Sequence, residues 1–293
     1  MKKIYTLGFI YTLLGGIMWG FSGACAQYIF TNYEITANWL LPMRLFCSGF
    51  IMILYLFIKK KKKIFVIFKS KKDTKTLLIY TFFGLILCQY NYFLAVEYSN
   101  AAVATVIAYI APGLVFLYVI YKTKRFPTFK ENTALLLASI GIFLIATHGK
   151  FDSLAVSKIA FITAILSAFG IAGFTVIPIK INLKYSVFYN LAWGLFISGL
   201  FMVLVLRIWN LNGIYDLKGF LALLSIVFFG TIGAFVFYLL GVELIGPSRA
   251  AVLSSAEPLS ASAFAYFWLG TPLIWIDGLG FAAIIIAMYF LRK

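Results

Sequence analysis

The chain has 293 residues, 63% hydrophobic and 12% charged. A soluble domain is about half apolar and a quarter charged, so the composition excludes one and reads as an all-α polytopic membrane protein. Its net charge of +16 would suit nucleic acid, but the basic residues lie in short loops between apolar runs, as topology charges beside anionic lipid do, and no nucleic-acid partner is expected.

A bilayer core of about 30 Å takes about 20 apolar residues per helix, and ten such runs follow one another. The first, 8–30, comes after Met1-Lys2-Lys3 and passes Ala24-Cys25-Ala26, which mimics a signal cleavage site. The run is too long for a signal segment and reads as a first spanning helix. It carries Trp19, Ser22 and Gln27 as cavity candidates. The second, 38–58, contains Arg44 about 9 Å from its outer end at 1.5 Å per residue. Nine lysines separate it from the third, 76–96. That run holds Gln89, Tyr90, Asn91 and Tyr92 in a row; all four cannot face lipid, and Gln89 and Tyr92 share a helix face. The fourth, 99–121, places Thr105, Tyr109 and Pro112 on one face. The fifth, 133–148, ends at His148, the only histidine. The sixth to eighth are 157–178, 186–208 and 219–241.

The ninth run, 250–269, contains Ser254-Ser255-Ala256-Glu257-Pro258-Leu259-Ser260. Glu257 lies about 12 Å from the end where the run begins, and Ser254 and Ser260 share its face. An ionisable group at that depth costs a few kcal/mol and belongs against a bundle interior or an aqueous cavity. Pro258 cannot donate a backbone hydrogen bond and frees a carbonyl one turn earlier, so Pro258 and Pro112 are helix-kink candidates. The tenth run is 273–291. Cys25, Cys47 and Cys88 all lie in apolar runs without CxxC spacing and read as packing residues. No cofactor and no metal site are expected.

Twenty basic residues fall on the side of the N-terminus, four on the other, and Arg44 lies within a run. The positive-inside rule then puts both termini in the cytoplasm, which agrees with ten crossings. The chain also repeats. Residues 77–97 and 223–243 are identical at ten of 21 positions, and the same 146-residue offset carries Pro112 onto Pro258. Leu45-Phe46-Cys47-Ser48-Gly49 matches Leu195-Phe196-Ile197-Ser198-Gly199 at an offset of 150. Residues 1–150 (helices 1–5) and 151–293 (helices 6–10) are therefore read as homologous halves. Five is odd, so the halves are inverted, which is an architecture of secondary transporters.

Tyr92-Phe93-Leu94-Ala95-Val96-Glu97-Tyr98-Ser99-Asn100-Ala101-Ala102 leading to Ala111-Pro112 resembles the third-to-fourth helix region of EamA-type transporters. Gly246-Pro247-Ser248-Arg249-Ala250-Ala251 leading to Glu257-Pro258-Leu259 and then Trp268-Leu269-Gly270 resembles the matching region of the second unit. Gly15-Gly16-Ile17-Met18-Trp19-Gly20 and Arg44 are similar to the family's first and second helices. The resemblance covers nearly the whole chain as two EamA units of the drug/metabolite transporter superfamily, closest to the carboxylate, amino acid and amine branch. It implies a cavity walled by helices 1–4 and 6–9, with efflux or exchange of small polar metabolites across the cell membrane. Thr271 departs from the acidic residue many relatives have there.

Three readings of Arg44 stay open: a pair with Glu257, a partner for a substrate carboxylate, or a side chain snorkelling to the interface. Glu257 is either a transport residue that exchanges a proton or interhelical glue. Glu97 and Glu243 read as helix-end residues, with Glu243 expected near Arg249. The leading functional reading is a secondary active transporter working by alternating access, and the alternative is a passive channel-like facilitator. An enzyme is not expected, since nothing resembles a nucleophile–base constellation or nucleotide loop. The expected partners are a small-molecule substrate and membrane lipid, with the proton as candidate coupling ion and a homodimer as candidate assembly.

Overall fold

The computed structural model describes residues 2–98, 101–149, 157–270 and 272–291, and every regular element among them is helical. α1 is Lys2–Asn32, α2 is Ala37–Lys60, α5 is Phe129–Thr147, α6 is Lys158–Val176, α7 is Val187–Leu206 and α10 is Trp275–Leu291. α3 runs through Lys71–Ile79, a π-helical stretch Tyr80–Ile86, and Leu87–Glu97. α8 has the same three-part build: Leu217–Ser225, the π-helical Ile226–Gly233, and Ala234–Ile245. α4 is broken into α4a (Ala101–Ala108) and α4b (Ala111–Thr123), and α9 into α9a (Pro247–Leu253) and α9b (Ala256–Leu269).

Eight described helices, α1 to α8, are long and apolar enough to cross a membrane. α10 has 17 residues, and α9 is not among the eight. The interruptions have a local cause. A proline ring clashes with the carbonyl four residues back and supplies no N–H, and each break lies just ahead of Pro112 or Pro258. The chain turns tightly there instead: the Ile110 amide donates to the Ile107 carbonyl at 3.1 Å, and the Ser255 amide to the Val252 carbonyl at 3.1 Å.

Several helices begin earlier than their apolar runs, because caps extend them into polar sequence. The Ser70 hydroxyl accepts from the Asp73 amide at the start of α3. Thr128 and Glu131 form a reciprocal capping box at the start of α5, which satisfies two amides that the first turn would leave unpaired. Residues Lys61–Lys69, expected as a linker, form a 3₁₀ segment. It is pinned to α7 by its buried Ile64 and Ile67 and by the Trp193 indole, which donates to the Ile64 carbonyl at 3.0 Å.

The Tyr5 hydroxyl donates to the Leu291 carbonyl, so the first and last helices meet at one end of the bundle, called here the terminal face; the other end is the distal face. The most extensive helix pairs are α2 with α7, α5 with α10, α1 with α8, and α3 with α6. Each joins the first half of the chain to the second. At the α2–α7 crossing the contact is reciprocal. A Cβ on Gly49 would stand 2.2 Å from the Phe196 amide nitrogen, and one on Gly199 would stand 2.2 Å from that of Phe46. Glycine lets the two backbones touch, as small residues do between membrane helices.

Candidate functional site

Arg44 rises from α2 into the middle of the bundle. Its guanidinium donates to the Gln89 side-chain Oε1 on α3 and lies 5.7 Å from the centre of the Phe93 ring. Its Nε is buried with no partner. A buried donor left unpaired costs about 1–3 kcal/mol, so the site holds unspent hydrogen-bonding capacity. Gln89 fixes one branch of the guanidinium, and the buried Nε is left without an acceptor.

Glu257 stands in the first turn of α9b. Its side chain is accessible, although the residue sits among helices and within electrostatic range of Arg44, Cys88 and Tyr92. Depth together with access means that the carboxylate faces a cavity. No carboxylate–cation contact within 4.0 Å joins Glu257 to Arg44 among the described residues, whose ion pairs lie elsewhere. Arg44 and Glu257 thus lie within electrostatic range of each other without a direct ion pair.

The walls are held by polar links. Tyr92 and Thr105 share a hydroxyl–hydroxyl hydrogen bond of 2.8 Å that ties α3 to α4a. Tyr109, at the α4 break, donates to the Val252 carbonyl of α9a at 3.2 Å, linking the two broken helices. Ser260 donates to the Gly16 carbonyl at 3.3 Å, and a Cβ on Gly20 would lie 2.0 Å from the Ser260 hydroxyl, so α1 seats tightly behind Glu257.

Other sequence candidates are placed differently. Ser254 donates to the Ala251 carbonyl one turn back at 2.8 Å and helps satisfy the break. Asn91 donates to the Leu87 carbonyl of its own helix. Trp19 sits in an aromatic cluster with Phe174, Phe235 and Tyr238, whose ring centres lie 5.2 to 6.2 Å away. Tyr238 is fixed there by a 2.9 Å hydrogen bond with Thr175.

The site is closed on one side. In the terminal half, α4b and α9a pack on each other, with Val115 and Ala251 in one buried cluster with Ala172 and Val176 of α6. In the distal half, α4a and α9b make no comparably extensive contact among the described residues.

Two further ionic sites lie at the helix ends. At the terminal face the Glu131 carboxylate, 2% exposed, accepts from Arg125 at 2.8 and 2.9 Å, from the Thr128 amide at 2.9 Å, and from Arg249 Nε at 2.9 Å. Arg249 also covers the Tyr5 ring at 5.3 Å. This corrects the expectation for Arg249: its partner is Glu131, because α9a begins against α5, while Glu243 is exposed. At the other end of α5, His148 Nδ1 lies 2.7 Å from the Asp277 carboxylate, so the lone histidine is engaged with α10. The Glu97 side chain and Thr271 lie outside the described residues.

Sequence reasoning passed over Phe93, Tyr238 and Glu131. Single aromatics carry little signal among 31 phenylalanines and 18 tyrosines. The spacing from Thr128 to Glu131 is a capping-box signature and would have found the third.

A many-helix membrane bundle with an accessible ionic site at mid-depth, closed at one end, has the make-up of a membrane transporter. The EamA-like transporter family matches residues 6–147 and again residues 158–292. The chain belongs to that family, within the drug/metabolite transporter superfamily. It is 34% identical over 276 residues to the uncharacterized inner membrane transporter YicL of Salmonella typhimurium strain LT2, across 93% of this chain and 91% of the relative. A solved structure described only as a crystal structure of protein is similar in fold, with TM-score 0.79 over 96% of this chain and 95% of the other at 14% identity.

Proposed function

We propose that the protein is a secondary active transporter that moves small polar metabolites, namely amino acids, amines or related carboxylates, across the cytoplasmic membrane by alternating access, as efflux or exchange. The observation that carries this reading is the accessible Glu257 side chain within electrostatic range of the half-paired Arg44 guanidinium. Arg44 is suited to a substrate carboxylate, which a guanidinium engages through two parallel hydrogen bonds, and Glu257 to a substrate ammonium or a coupling proton.

In this reading the chain crosses the membrane ten times, with both termini in the cytoplasm, as the excess of basic residues on that side supports. Residues 1–150 and 151–293 act as inverted halves. The reciprocal α2–α7 contact, the π-helical stretches 146 residues apart and the paired breaks in α4 and α9 support that relation. Packing of α4b on α9a closes the cytoplasmic side in this state; the opposite state closes α4a on α9b.

The test is counterflow of a radiolabelled amino-acid and amine panel in liposomes, with and without a pH gradient, for the wild type and Glu257→Gln. Saturable exchange that the substitution abolishes is expected. Flux that neither saturates nor responds to a gradient would make the protein a passive facilitator instead.

A further inference from the structure

An apolar groove lies between α2, α7 and α8, and neither Arg44 nor Glu257 lines it. It is bounded by Ile51, Tyr55 and Leu56 of α2, Phe188 of α7, and Phe228 and Ile232 of the π-helical stretch of α8, with a volume of about 530 Å³. That size lies within the range of ligand sites. Its lining is almost wholly hydrocarbon and aromatic, and Ser186 is its one aliphatic hydroxyl. Tyr55 and Phe188 stand edge to face with ring centres 5.6 Å apart, while Tyr55 and Phe228 remain about half exposed. A polar metabolite finds too few hydrogen-bonding groups here.

The groove has a direction. α2 descends from Ala37 to Lys60, so Ile51, Tyr55 and Leu56 occupy its terminal half, and Ser186 marks the start of α7 at the same end. One turn beyond Tyr55, on the same helix face, is Lys59, which is exposed, and exposed Lys61 and Lys63 follow as the chain turns. None of these three has an acidic partner within 4.0 Å among the described residues. Asp73, the only acid in the lysine-rich stretch 59–75, is already held by Lys184 and by the Tyr185 hydroxyl at 2.7 Å. The next segment keeps to the same interfacial level. Phe65, Val66 and Phe68 are exposed while Ile64 and Ile67 are buried, as an amphipathic stretch lying in the membrane surface would have them.

An apolar slot followed along the chain by exposed lysines without acidic partners has the chemistry of one ligand class. We propose that this groove binds an anionic phospholipid, with an acyl chain along α2, α7 and α8 and the phosphate on Lys59, Lys61 and Lys63. Apolar burial holds the chain, and the ammonium groups select charge. The ligand would brace α7 against α2 and α8 without entering the transport site.

Native mass spectrometry of the full chain, released from detergent after titration with 1-palmitoyl-2-oleoyl-phosphatidylglycerol, reads the site directly. Phosphatidylcholine with the same chains is the comparison. The expected result is one saturable phosphatidylglycerol bound at least about tenfold more tightly than phosphatidylcholine. Selectivity should disappear in a Lys59→Gln, Lys61→Gln, Lys63→Gln variant, and occupancy of both lipids should fall about tenfold in Ile51→Trp, which fills the groove. Ile232→Phe serves as a second plug should Ile51→Trp fail to give a monodisperse protein. Unchanged binding in both plugged variants would overturn the proposal and leave only headgroup attraction to surface lysines. Equal affinity for the two lipids in the wild type would overturn the anionic preference. A dimer that forms through this face and excludes lipid would overturn the proposal in favour of a second copy.

Discussion

Glu131 and Asp277 stand 146 residues apart and close the first turns of α5 and α10 in the same way. The Thr128 amide donates to the Glu131 carboxylate at 2.9 Å, and the Ile274 amide, three residues before Asp277, donates to that carboxylate at 2.9 Å. Both carboxylates are buried, at 2% and 1% exposure, and each also meets a basic side chain from elsewhere in the fold. The partners differ. Arg249 from α9a and Arg125 hold Glu131, whereas His148 from the end of α5 holds Asp277. Only the Glu131 site therefore ties a broken helix to the scaffold.

Removing charge at the two sites should have unequal effects. Glu131→Gln leaves two arginines without their carboxylate and weakens a cap, for which about 1–3 kcal/mol is expected. Asp277→Asn keeps an acceptor for the Ile274 amide and loses only a contact to half-exposed His148, so about 1 kcal/mol or less is expected. Thermal unfolding in detergent measures the difference, and a larger loss for Asp277→Asn would refute it.

The Arg249 link also bears on the transport cycle. If alternating access holds, α9a must leave Glu131 when the terminal face opens. Arg249→Gln should then raise labelling of a cysteine placed at Val252 by a thiol reagent applied from the terminal side. Labelling at the wild-type rate would mean that the ion pair does not secure that face.

Gln89 orients Arg44, and a hydrogen bond to a charged group is worth about 1.5–3 kcal/mol. Gln89→Met should lower transport efficiency by about 10–100-fold. Arg44→Lys should not restore it, because an ammonium lacks the planar fork. Counterflow with the substrate found for the wild type provides the measurement. Full activity in Arg44→Lys would reduce the guanidinium to a point charge.

At the α2–α7 crossing, Gly49→Ala and Gly199→Ala should be alike in cost. Each new Cβ would meet backbone 2.2 Å away, and forced separation of packed elements costs about 1–3 kcal/mol or more. Matched falls in the unfolding midpoint are expected, and a marked inequality would count against a symmetric role.

Pro258→Ala and Pro112→Ala restore an N–H that can rejoin each broken helix. Unfolding should shift upward while the turnover rate falls, as straighter helices resist the exchange of states. Unchanged turnover in both would leave the breaks without a part in gating.

Much of this was legible in the chain itself. Run lengths and hydropathy determined a many-helix membrane protein, because lipid forces each spanning backbone to satisfy its own hydrogen bonds. The ten identities between 77–97 and 223–243 marked segments that contain the two π-helical stretches. Arg44, Glu257, Pro112 and Pro258 stood out because a charge or a missing N–H is costly at depth wherever it occurs. Partnership was another matter. Arg44 lies 45 residues from Gln89 and Arg249 lies 118 from Glu131, and nothing local decides between Glu131 and Glu243 as a partner for Arg249. Those choices arise when α2 meets α3 and α9a meets α5, since contacts between distant segments exist only once the helices have assembled. The sequence by itself determined which residues needed an explanation, and the tertiary structure decided which residues supply it.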